Sequence, residues 1–211
     1  MAKRKVKKSL KKKQGFSFGN EIESAWRYLR ESDNCVAVVA GFFVLFFMFG
    51  FVFPYVAPAE ILDPVLEEVR KLIEEIIRET EGKGLVDLWG FIFWNNSLIA
   101  FVSIVFGFLL GVVPVFLLLS NGFMIGLISS LVVAEAGFLS LWRLFPHGIF
   151  EIPAIIISFA VGIRFGAFIL RENRWREFKL RLLGSLRVFF FVVVPLLVIA
   201  AIIESLLIVF S

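Results

Sequence analysis

His147 and Glu151 stand four residues apart, a spacing that puts both on one face of a helix. Ala154, Ser158, Gly162 and Gly166 continue that face as a small-and-polar stripe through an otherwise apolar segment. In a membrane such a face turns into the protein, because polar atoms are costly against hydrocarbon. Its chemistry is narrow. An imidazole four residues from a carboxylate is a partial metal motif, but zinc sites need three or four such ligands. The chain has one His, and its single Cys35 cannot pair. No nucleophile stands beside His147, so nothing points to an enzyme, a metal or a cofactor. Pro153 leaves a second option, in which it breaks the first turn and makes 147–151 a capping loop.

The elements that must hold these residues are set by hydropathy. From Leu88 to Ala134 there is no Asp, Glu, Lys or Arg, a run that as helix crosses a ~30 Å hydrocarbon layer twice. Composition agrees: 59% of residues are hydrophobic, 27 are Phe, and mean hydropathy is +0.90, where about half apolar is the globular norm. The fold class is therefore all-α, a polytopic membrane bundle with spans at about 35–57, 88–113, 114–134, 147–170 and 188–210. The chargeless turn near 113–122 fits two full spans or a re-entrant segment. The first apolar run starts at Cys35, too late for a secretory signal, so the first span is expected to be retained.

The remaining segments are charged. A basic tail covers 1–20, with Lys3, Arg4, Lys5, Lys7, Lys8, Lys11, Lys12 and Lys13 and no acid before Glu21. An interfacial helix follows over 21–34, and a single membrane domain fills 35–211. Within it, residues 60–81 form an amphipathic helix with Asp63 as N-cap and Pro64 at its first position. Its stripe is Leu62, Val65, Leu66, Val69, Leu72, Ile73, Ile76 and Ile77, and acids dominate its other face. Membrane-surface helices prefer basic polar faces, so this one packs on protein: its own chain, a second copy or another partner. The loop 171–187 is basic. Five spans put it and the tail on one side, which is then cytoplasmic, with the acidic helix and the C-terminus outside. The basic tail lies along anionic lipid rather than nucleic acid, since no interleaved aromatics accompany it.

On that topology Asn95, Asn96, Glu135, His147, Glu151 and Glu204 gather in the outer leaflet. The group reads either as a hydrogen-bonded knot that fixes helix packing or as a ligand, ion or proton site. Arg164, near the cytoplasmic end of its span, snorkels to headgroups or forms a buried ion pair. It joins Arg171, Arg174, Arg176, Lys179 and Arg181 as bases facing cytoplasm and lipid. Three GxxxG patterns, Gly107–Gly111, Gly122–Gly126 and Gly162–Gly166, suit close helix packing within the chain or in a homo-oligomer, a dimer first. Asn121 adds an interhelical donor.

Several fragments taken in order resemble the stage II sporulation protein M family over about residues 26–207. They are Tyr28-Leu-Arg-Glu-Ser32, Asn96 with Gly107 and Gly111, and Asn121-Gly122 with Gly126. Pro146-His-Gly-Ile-Phe-Glu151 with Gly162 and Gly166, and then Glu204, complete the series. The resemblance implies a membrane anchor or scaffold that recruits partners and performs no catalysis, as the sporulation member does for cell-wall-remodelling proteins. The alternative is a transporter or channel using Asn96, His147, Glu151 and Glu204. The Lys-rich composition with a single Gln suggests a heat-adapted, archaeal member.

Overall fold

A computed structural model describes residues 17–143 and 145–210; of 142, 143 and 145–147 the backbone alone is described. Residues 1–16 of the tail expected to lie on anionic lipid fall outside the described residues, and its last three belong to the first helix. All described elements are helical, as the lack of water in a bilayer requires, since only a helix satisfies its own backbone there.

Helix α1, Phe18–Arg30, buries Ala25 and Leu29 on one face, with Glu21 in its first turn and Arg27 and Arg30 in its last. That charge order suits the helix dipole. Helix α2, Asp33–Val56, is the first span, and Pro54 lies in its last turn. Helix α3, Ala59–Thr80, starts a turn before the expected Asp63 cap, on Pro58. The Pro58 carbonyl accepts from Ile61 and Leu62, which carries the helix through Pro64.

Helix α4, Leu85–Val105, and helix α5, Val112–Ala136, are two full spans joined at Phe106–Gly111. The turn therefore lies earlier than residue 113. Gly107 and Gly111, expected inside a span, form the turn itself. Gly111 (φ 74°) supplies the left-handed residue there, beside Leu110 at φ 57°. Pro114 falls in the first turn of α5, where its missing N–H costs nothing.

Helix α6, Phe145–Gly166, runs unbroken through Pro153 and ends in a short 3-10 turn, Ala167–Leu170. Residues 147–151 are thus helical and not a loop. The expected basic loop 171–187 is mostly helix α7, Arg174–Val188. The Asn173 side chain caps it, accepting from the Arg176 N–H. A π turn, Phe189–Val193, joins α7 to α8, Val194–Phe210, in one apolar-ended stretch of 37 residues. Pro195 explains that turn. It cannot donate to the fourth residue back and would clash with that carbonyl, and widening the preceding turn relieves the conflict.

Five stretches are long and apolar enough to cross a membrane. Helix α6 is central, with half of its apolar window buried against a third or less in the other four. It touches α2 and α5 on one side and α4 and α8 on the other. The closest pair is α2 with α5, and glycine is the reason. Carbon added at Gly50 would run into the Phe123 backbone, and at Gly126 into the Phe47 backbone. Gly107 meets Gly162, and Gly166 meets Gly111, in the same way. All three glycine pairs are therefore occupied inside the chain. Asn121 bonds back to the Leu117 carbonyl at 2.8 Å and not across to a neighbour.

Gly126→Ala is expected to lower the melting midpoint in detergent, because overpacking costs about 1–3 kcal/mol. Gly41→Ala, where a methyl meets nothing within 4 Å, should leave it unchanged. Equal melting of the two variants would mean that α2 and α5 do not meet through this glycine.

Candidate functional site

The far-face polar residues come from α4, α5, α6 and α8, of which α4, α6 and α8 all pack on one another. Consecutive helical residues point about 100° apart, so Asn95 and Asn96 cannot both face inward. Asn96 is buried and Asn95 exposed. Glu135, next to last in α5, is also exposed. Glu151 and Glu204 are half-buried, on the contacting helices α6 and α8. The His147 side chain lies outside the described residues. Of the six, only Asn96, Glu151 and Glu204 are described side chains withdrawn from the surface.

Their depths differ. Glu151 lies about 9 Å along α6 from its start, and Glu204 about as far from the end of α8. Asn96 is about 16 Å into α4, near mid-bilayer, because that helix begins at Leu85. Nearby, the Ser97 hydroxyl and the Trp89 indole N–H are buried and have no partner among the described residues. Deeper still, Ser103 Oγ donates to the Ser158 carbonyl at 3.3 Å, tying α4 to α6.

The most connected polar site is on the opposite, N-terminal face. Arg164 does not run free to the headgroups. Its Nη1 donates to the Tyr28 carbonyl at 2.7 Å and to Ser32 Oγ, and its Nη2 to Glu31 Oε2 at 3.0 Å. Its guanidinium also sits 4.2 Å from the centre of the Tyr28 ring. One cation thereby satisfies a carbonyl at the end of α1, where helices leave acceptors orphaned. Arg181 is turned inward and not toward lipid: it is 9% exposed, and donates to the Arg164 carbonyl and to Glu177 Oε2 at 3.1 Å. Arg187 grips Glu21 through two donors. Ser185 Oγ donates to the Val161 carbonyl at 3.3 Å, and lies 3.4 Å from the Tyr28 hydroxyl. Gly184 leaves room for the Tyr28 ring, with which any Cβ would collide.

These contacts clasp α1 onto α6 and α7. Of these residues only Arg164 and Arg181 are singled out from the sequence; missed are Tyr28, Glu31 and Ser32 as partners of Arg164, Glu177 as partner of Arg181, and the separate Glu21–Arg187 pair. The available signal was an arginine near the end of a span, which needs a carbonyl or carboxylate once it cannot reach water. Arg171, Arg174, Arg176 and Lys179 are exposed, with Lys179 5.0 Å from the Trp175 ring centre.

A family model described as stage II sporulation protein M matches residues 39–207. The chain belongs to the stage II sporulation protein M family. No curated protein and no solved structure matches it. The family segment starts inside α2, so α1 and the Tyr28–Ser32 fragment precede it. Arg164, Arg181, Glu151, Glu204 and all of α3 lie within it. The protein is accordingly a multi-pass membrane protein of that family.

Burial raises the Tyr28 phenol above its ordinary value of 10.0. The neutral phenol is the form the clasp favours. Its stabilisation is complete below the unfolded value and fades as pH climbs through the folded one. Amide exchange of residues 18–30 should therefore quicken above about pH 10 in the native protein and less so in Tyr28→Phe. Arg164→Leu should quicken it at neutral pH, by about 10-fold or more, since hydrogen bonds to charged groups hold about 1.5–3 kcal/mol each. Protection unaltered in Arg164→Leu would separate α1 from this clasp.

Proposed function

We propose that this protein is a membrane scaffold that recruits a partner on the extracytoplasmic side and performs no catalysis of its own. The observation that carries the reading is the free half of α3. Val69 is buried and Leu62, Val65 and Leu66 are half-covered, so the first half of the helix leans on its own chain. Leu72, Ile73, Ile76 and Ile77 are exposed, by 47, 37, 54 and 55%. Four large apolar side chains on two turns make a contiguous patch of the kind that marks a protein contact.

Charge supports a particular kind of partner. At helical spacing Glu68, Glu75 and Glu79 line one edge of the patch. Lys71 pairs with Glu67 and Glu68, both at 3.1 Å. Among the described residues Glu75 and Glu79 have no ion pair. A second copy would bring acid against acid, whereas an amphipathic basic segment of another protein would complement both the patch and its edge. The basic tail and the exposed Arg171, Arg174, Arg176 and Lys179 favour the opposite side as cytoplasmic, in contact with anionic lipid. Family membership is consistent with an anchoring role.

Leu72→Glu with Ile76→Glu is expected to abolish partner capture in pull-downs from native membranes and to leave the melting midpoint unaltered. Capture unaffected by both changes would sink the docking role. A fall in mass of the isolated protein in detergent would instead identify the occupant as a second copy.

Glu151 and Glu204 favour a second reading, transport of protons or ions, because carboxylates at such depth are costly unless they serve a path. Proton or cation flux into liposomes that Glu151→Gln abolishes is its expected signature. Sealed liposomes with no flux above background leave the scaffold reading alone.

A further inference from the structure

The gap between α2, α5 and the start of α6 is a cavity of about 430 Å³. Phe47, Ile125, Ser129, Leu141, Gly148 and Ile152 form most of its wall. We propose that it holds the hydrocarbon tail of one membrane lipid. The inference depends on the membrane setting and not on the scaffold role.

Three observations on the wall support this. First, every lining residue except Leu141 belongs to a membrane span, so the cavity opens at hydrocarbon depth. Secondly, among the described residues Ser129 carries the only polar side chain of the wall. A water molecule needs two to four polar partners to remain in such a space. Left empty, the wall would forgo its dispersion contacts on one side. A dry cavity of roughly 150 Å³ accepts a benzene molecule, so this one has room for a longer chain of methylenes. Thirdly, the sequence keeps it open. Gly148 contributes no side chain, and a Cβ there would meet nothing nearer than Ile152 Cδ1 at 3.6 Å. Pro153 in the next turn lines the cavity as well.

Leu141 caps the cavity from the 3-10 segment Phe138–Arg143. Its neighbours Phe138 and Leu139 are exposed by 72 and 82%, which fits a loop dipped into lipid at the edge of the bilayer. A tail in the cavity would run between this loop and mid-membrane, its headgroup remaining at the surface on the α3 side.

The test is to reconstitute the whole protein in nanodiscs of phosphatidylcholine bearing a diazirine on one acyl chain, and to map photolabels by mass spectrometry. Labels on Ile125 and on residues 148–152 are expected several-fold above those on the openly exposed Phe42 and Phe116. Gly148→Phe should reduce the wall labels at least five-fold and leave Phe42 and Phe116 labelled as before. Ser129→Leu, which fills the cavity from α5, gives the same reading if Gly148→Phe does not fold. Wall labelling no stronger than that of Phe42 and Phe116, or unchanged in the filled variants, overturns the proposal and leaves only passing lipid contact.

Discussion

Backbone touching backbone is the contact on which this bundle rests. In hydrocarbon no helix gains by hiding an apolar side chain from its surroundings, so cohesion comes from close packing and the few polar bonds that span it. The glycines of the α4–α5 turn meet those at the end of α6, and Gly50 and Gly126 bring α2 and α5 together. Helix α6 then lies between two helix groups and transmits the position of each to the other. Ser103 and Ser185, each donating to a carbonyl of α6, add direction to contacts that glycine makes close.

The two faces of the molecule treat polar groups differently. On the N-terminal face Arg164 joins α6 to the end of α1, and Cys35 Sγ, donating to the Ala160 carbonyl at 3.3 Å, joins it to the start of α2. On the far face Glu151 and Glu204 are held without a described base, and α3 carries an apolar patch into the open. The N-terminal face is closed by its own bonds.

Much of this was legible in the residues, and the misreadings have physical causes. Hydropathy located five spans because lipid tolerates little else, and the α3 stripe was clear from its 3.6-residue period. The turn after α4 was misplaced because glycine serves equally for close packing and for a left-handed turn; Gly107 does the first and Gly111 does both. The 171–187 segment reads as a loop by charge, yet Phe178, Arg181, Ser185 and Val188 recur at helical spacing along α7. Asn95 was grouped with Asn96 by adjacency, although adjacent helical residues face different ways. Arg164 was judged from its own helix. Its partners lie more than 130 residues earlier, and no local pattern reveals such a pairing.

The α4–α5 hairpin bears on how the chain is made. Its two rods are joined by six residues with no charge, and the stretch from Leu88 to Ala134 offers nothing that a membrane-insertion channel would retain or repel. Orientation is set by arginine and lysine near span ends, and here there is none to weigh at the bend. The choice of sidedness falls to the charged stretches before α2 and after α6, and the hairpin follows whichever way they point.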